Sequence, residues 1–204
     1  IWPIVREHPG NTEPFRLIWA PHHSYADRWL NFGHFNDQRE PMLALAQAHP
    51  EMDIVFRPHP FLFGTMTDRD VMTQEEVDDW RARWDALPNT FTDLGAPLTS
   101  ILLASDALVT DGVSFLAEYP LVTGKPAIFW EKKVHWDFSP LGNIAAASTV
   151  TVHTMAEVEQ ALNQAQAGTL PDRTEQIAAL VKAVRPQPAS AAQTIIELVA
   201  KDYS

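Results

Sequence analysis

Cysteine is absent from the 204 residues. That excludes disulfides, a thiolate nucleophile and Cys-ligated zinc, and it fits a reducing compartment. Long apolar runs are absent as well. No stretch approaches the ~20 apolar residues that cross a bilayer, and the first residues lack a signal-peptide pattern. Positive charge is scarce: 15 Lys and Arg stand against 26 Asp and Glu, a formal net charge of −11. Such a surface repels nucleic acid and anionic lipid in the bulk, so an anionic ligand would need a local cluster of donors. Several signatures are also missing. Gly124-Lys125-Pro126 lacks P-loop spacing, and no G-x-G-x-x-G, G-x-S-x-G or H-E-x-x-H occurs. There is no internal repeat and no low-complexity tract.

What remains has the composition of a folded domain, 46% hydrophobic and 20% charged, in a chain long enough to bury a sizeable core. Residues 1–14 are rich in proline and polar groups and read as a linker. Residues 15–204 read as one α/β domain with a helical tail. The chain starts at Ile1 without Met and reads as part of a longer protein.

Short apolar runs bounded by proline or polar residues predict strands at Phe15–Ala20, Asp53–Arg57, around Phe91, at Ala107–Thr110 and at Pro126–Trp130. Between them, helix composition predicts helices at Pro41–Ala48, Thr73–Leu87, Pro97–Ser105 and Val113–Tyr119, the last disturbed by Pro120. Pro41 is expected at an early helical position, where its missing N–H costs little. The pairs Thr73 with Glu76 and Thr154 with Glu157 are capping boxes, the second opening a helix to Ala167. Helices over Arg173–Val184 and Ala189–Ala200 finish the chain. Pro21–Asn36, aromatic and histidine-rich, reads as a long loop. Strands of four to six residues alternating with helices imply a doubly wound, mostly parallel sheet covered on both faces. Ligands of such sheets bind outside the carboxyl ends of the strands.

Three segments fall at that edge. In Ser105-Asp-Ala-Leu-Val-Thr-Asp-Gly-Val-Ser114-Phe-Leu-Ala-Glu118, a strand meets an Asp111-Gly112 turn and then a helix with Ser114 in its first turn. A helix N-terminus offers free N–H groups and about half a positive charge to a phosphate. Gly112 allows close approach, Ser114 adds a hydroxyl, and Glu118, one turn on, can accept from ribose hydroxyls. A plain N-cap at Asp111 and a solvated Glu118 fit the same residues. In Phe56-Arg57-Pro58-His59-Pro60, two prolines hold Arg57 and His59 stiffly at the strand end. Arg57 can pair with phosphate, and His59 can donate a hydrogen bond or proton to it, or simply finish the strand. His22 and His23 follow the first strand. Adjacent side chains on an extended backbone point apart, which makes them poor co-ligands of one metal, so no metal is expected and a place beside the ligand cleft is. Lys132, with Lys133 and His135, supplies local positive charge, either for a donor diphosphate or in a solvated loop.

Taken together, the strand ending in Arg57-Pro-His59-Pro, the Ser105–Glu118 segment and Gly-Lys125-Pro126-Ala-Ile-Phe resemble the CDP-glycerol glycerophosphotransferase family of teichoic acid and capsule polymer synthesis. The likeness covers roughly residues 16–165 and fits that family's C-terminal, donor-binding GT-B half. It implies transfer of glycerol phosphate, or a related polyol or sugar phosphate, from a CDP-linked donor to an acceptor hydroxyl, with no further cofactor. Ser114, Gly112 and Asp111 at the helix start, with His22, His23 and Lys132, would hold the donor. Arg57 and His59 would face the transferring phosphoryl group, and Glu118 the ribose. A polymer or lipid-linked acceptor would bind a preceding domain, which would also carry any membrane contact, at the cytoplasmic face. Where the family has two small hydroxyl residues after the Asp, this chain has Gly112-Val113. CMP-sugar-dependent capsule glycosyltransferases, a nucleotide-sugar epimerase and a non-catalytic nucleotide-binding domain are the competing readings.

Overall fold

The computed structural model describes residues 2–7, 13–25, 30–95, 97–185 and 191–202. Parts of the predicted linker (1 and 8–12), of the histidine-rich loop (26–29) and the expected start of the last helix at Ala189 lie outside the described residues.

Six strands form one parallel sheet: β1 (Arg16–Ala20), β2 (Asp53–Phe56), β3 (Thr90–Thr92), β4 (Ala107–Thr110), β5 (Ile128–Trp130) and β6 (Val150–Val152). Their spatial order is β3-β2-β1-β4-β5-β6, with every neighbouring pair parallel. This is the doubly wound order in which the winding reverses between β1 and β4. The central strands β1, β2 and β4 are apolar almost throughout because both faces are covered. Their side chains alternate between two cores. Leu17, Trp19, Ile54, Phe56, Ala107 and Val109 join one, while Ile18, Ala20, Val55 and Leu108 join the other. The edges, β3 and β6, are three residues long and expose their middle residues, which limits pairing with another chain.

The first core is built on aromatic rings. Trp19 lies 4.8 Å from Phe56 and 5.6 Å from Phe35, and Trp80 stacks on Trp84 at 5.5 Å. Trp80 and Trp84 come from α3 (Gln74–Asp85), opened by the Thr73–Glu76 capping box as expected. Phe35 is the first residue of α1 (Phe35–Ala48), and its place among these rings corrects the predicted helix start. The helix begins six residues before Pro41, which sits inside it. Burial of Phe35 outweighs the one backbone hydrogen bond that Pro41 cannot make.

The other face carries α4 (Leu98–Ala104) and α5 (Val113–Thr123). Helix α5 runs through Pro120 rather than ending near it. The proline leaves the Leu116 carbonyl without its usual donor, and the Ser148 hydroxyl lies 3.5 Å from that oxygen. Gly124, at φ +70, closes the helix. Helix α7 (Met155–Ala167) starts at the Thr154–Glu157 capping box, and α8 (Thr174–Val184) and α9 (Ala191–Asp202) complete the chain. Helices α2 (Leu62–Asp68) and α6 (Pro140–Ala147) and strand β6 were not anticipated. Helix α6 carried a readable signal, since Ser139 caps the Gly142 amide and Pro140 stands at the start. At the amino end, Trp2 is buried against the second core and donates to Asp53, which also pairs with Arg6 at 2.8 Å. No helix among the described residues is long and apolar enough to cross a membrane.

Candidate nucleotide-binding cleft

The strand order places the carboxyl ends of β2, β1 and β4 side by side. Pairing between the first two continues past the assigned strands, with Arg57 N–H donating to Trp19 O and His59 N–H to Pro21 O. The Arg57–Pro60 turn therefore runs beside Pro21–His23. Across the switch point, the Thr110 hydroxyl donates to Ala20 O and accepts from Gly112 N–H. The result is a cleft of about 230 Å³ that brings together His22, Arg57, His59, Gly112, Ser114 and Glu118.

Helix α5 opens onto this cleft. Its N-cap is Gly112, which has no side chain to satisfy the first-turn amides. Those N–H groups and the Ser114 hydroxyl make one wall that attracts an anion. A Cβ at Gly112 would lie 3.2 Å from the Thr110 hydroxyl and 3.4 Å from the His22 ring, so glycine keeps the wall low. Glu118 stands one turn further along the same helix, still at the cleft.

His22 and His59 also line the cleft, while His23 lies outside its lining, packed against both rings. His23 stacks on His59 at 3.8 Å, and His22 lies 4.6 Å from His23 and 5.6 Å from His59. Burial, with the neighbouring charges of His23 and His59, brings the His22 pKa down to about 4. Burial and then His59 lower His23, and burial lowers His59. The rings are therefore neutral near pH 7, and they can donate hydrogen bonds without carrying charge. Among the described residues no three His, Asp or Glu side chains are placed to hold a metal ion.

Three expected site residues have other engagements. Arg57 lines the cleft, and its guanidinium is ion-paired with Asp93, a carboxylate just past β3 that is 3% exposed. Asp111 is fully buried; its two oxygens accept the backbone N–H groups of His22 (2.5 Å) and His34 (2.9 Å). It holds the loop after β1 in place rather than facing a ligand. Lys132 lies away from Ser114, in a separate open depression with His34, Trp130 and His135. Its ammonium donates to Asn31 and to Gly33 O. Sequence reasoning missed Asp93, Leu94 and Leu98, which line the cleft. An acid directly after a strand was the available signal for Asp93, but β3 is so short that its end could not be placed.

No protein-family model matches the chain, and no curated protein sequence matches it. Solved structures do. The putative UDP-N-acetylglucosamine 2-epimerase from Listeria monocytogenes aligns over 83% of this chain and 44% of its own, at 14% identity and a TM-score of 0.50. The UDP-GlcNAc 2-epimerase from Neisseria meningitidis bound to UDP-GlcNAc aligns over 86% and 45%, at 12% identity and a TM-score of 0.49. TarM aligns over 98% and 37%, at 9% identity and a TM-score of 0.47. The chain thus spans less than half the length of each. The Listeria likeness concerns the fold: an α/β, doubly wound, Rossmann-like parallel sheet of the GT-B kind.

Proposed function

We propose that this chain is the donor-binding half of a two-domain transferase that uses a nucleoside-diphosphate-linked donor. The observation that carries the reading is the convergence, at the switch point between β1 and β4, of an uncapped helix N-terminus, Ser114, the imidazoles of His22 and His59, and Glu118 in one cleft. That donor set suits a diphosphate and a ribose, and it answers the need for local donors in a chain of net charge −11.

In this reading the diphosphate lies against the first turn of α5, held by its amides and the Ser114 hydroxyl. His59 Nδ1 accepts the Phe61 N–H at 3.2 Å, so the neutral ring carries its proton on Nε2. From there it donates to a phosphate oxygen. Glu118 accepts from ribose hydroxyls. Arg57, oriented by its ion pair with Asp93, presents guanidinium N–H donors beside the phosphates. With a CDP-glycerol donor, an acceptor oxygen would bond to the glycerol-bearing phosphorus while the bond to the CMP oxygen breaks. CMP leaves with the electron pair, and the acceptor proton passes to solvent. The residues then act by positioning and by stabilising charge on the phosphates. The acceptor, a polymer or a lipid-linked hydroxyl, would be presented by the second domain.

A UDP-sugar in place of the CDP donor is the second reading, favoured by the fold shared with the Listeria protein. Calorimetric titration with CDP, CMP and UDP separates the two. CDP preference, lost in His59→Ala and Ser114→Ala, supports the glycerol-phosphate form. UDP preference supports the UDP-sugar form. If none of the three nucleotides binds, the donor-cleft reading is abandoned in favour of a non-catalytic domain.

A further inference from the structure

The first residue after the histidine pair organises the cleft from behind. Ser24 is 2% exposed, and its hydroxyl oxygen accepts the N–H of Phe32 at 3.0 Å and of Gly33 at 3.4 Å. The Gly33 N–H is shared with the Ser24 carbonyl oxygen, which it reaches at 3.1 Å, so Phe32 is the firm donor to the hydroxyl. The Ser24 amide donates to His22 Nδ1 at 3.2 Å, which makes that nitrogen an acceptor, and the hydroxyl 2.8 Å from it is then its second donor. Two donors aimed at Nδ1 leave it unprotonated and put the ring proton on Nε2.

The surroundings are built for this contact. A Cβ at Gly33 would fall 2.5 Å from the His22 carbonyl oxygen and 2.9 Å from the Tyr25 ring, so only glycine lets the 32–33 turn close on Ser24. Asp111 holds the backbone N–H of His22 and of His34, fixing both ends of the same loop. With Nδ1 turned to Ser24, the Cδ2 side of the ring lies against Gly112, 3.4 Å from where a Cβ would stand, and His22 lines the cleft with Ser114. The charged and titratable groups around the ring are His59 on the cleft side, His23 packed against it, and Asp111, which holds the His22 backbone N–H.

We infer that Ser24 is a positioning residue that holds His22 as a neutral Nε2–H donor in the cleft that Gly112 and the start of α5 also line. A phosphate ligand rests on the donor-cleft reading above; the tautomer does not. His22 would thus serve as a fixed hydrogen-bond donor to a phosphate oxygen and not as a proton acceptor.

Nitrogen-15 NMR of the histidine rings in the ligand-free chain tests the tautomer. The expected result is an unprotonated, hydrogen-bonded Nδ1 and a protonated Nε2 on His22 at pH 7. A proton on Nδ1 in the unmodified chain overturns the inference at once, whatever any variant does. In Ser24→Ala the Nδ1 resonance should move toward the free-acceptor position, and Ser24→Thr should restore it; an unmoved resonance in Ser24→Ala also overturns the inference. Titration of the same proteins with CDP and UDP should show about tenfold weaker binding for Ser24→Ala, the loss of one well-aimed donor, with recovery in Ser24→Thr. If the tautomer is as expected and neither nucleotide binds the unmodified chain, the role of Ser24 in setting the ring stands and the donor-cleft reading falls.

Discussion

Burial of His22 makes the stability of this domain fall as the solution turns acid. Its pKa drops from the ordinary 6.5 to about 4 in the folded chain. Between those values the unfolded chain binds a proton that the folded chain refuses, so folding stability rises with pH across the window. The His22 contribution is complete above pH 6.5 and is lost progressively as pH falls toward 4. From pH 7 to pH 5 the loss through this one ring is about 2 kcal/mol, at 1.36 kcal/mol per pH unit once the unfolded imidazole is titrating. That is a large share of the 5–15 kcal/mol typical of a domain. The perturbation is His22→Asn, which keeps an oxygen acceptor near Ser24 and cannot titrate. Urea unfolding of both proteins at pH 7 and pH 5 measures it. With a slope of about 2–3 kcal/mol/M, the unmodified midpoint should drop by roughly 0.7–1 M more than that of the variant. His23 and His59, also lowered by burial, contribute with the same sign in both proteins and leave a residual slope. Parallel pH dependence in the two proteins would refute the argument, because it would mean that His22 is hydrated and protonates freely in the folded state.

Two further substitutions separate binding from stability. Gly112→Ala places a methyl 3.2 Å from the Thr110 hydroxyl and 3.4 Å from the His22 ring; thermal melting should register a loss of only about 1 kcal/mol, while nucleotide affinity by calorimetry should fall at least tenfold because the approach to α5 is narrowed. Asp93→Asn leaves the Arg57 guanidinium, whose side chain is 18% exposed, without its carboxylate; a cost of about 3 kcal/mol, or roughly 10 °C in melting temperature, is expected, and an unchanged melting temperature would show the pair to be ornamental.

The sequence alone determined the elements whose causes are local. The apolar runs of β1, β2 and β4 announce strands buried on both faces. Thr73 with Glu76 and Thr154 with Glu157 announce two helix starts because both members of each capping box lie within three residues. The alternation of strand and helix implies a parallel doubly wound sheet, and the rule that ligands sit at its carboxyl edge singles out Arg57, His59, Gly112 and Ser114 from the sequence alone. Helix α1 was readable only in part, since Phe35 enters the helix through rings contributed by residues 19, 56 and 80. The tertiary structure alone decided the polar partners. Asp111 is an N-cap by local pattern, yet it serves backbone amides 89 and 77 residues away. Arg57 finds Asp93 across β2 and β3, and Lys132 is claimed by Asn31, 101 residues distant. Periodicity and capping record what neighbours along the chain can do, whereas a buried charge takes whichever partner the strand order brings within reach, and that order is settled by packing of the whole sheet.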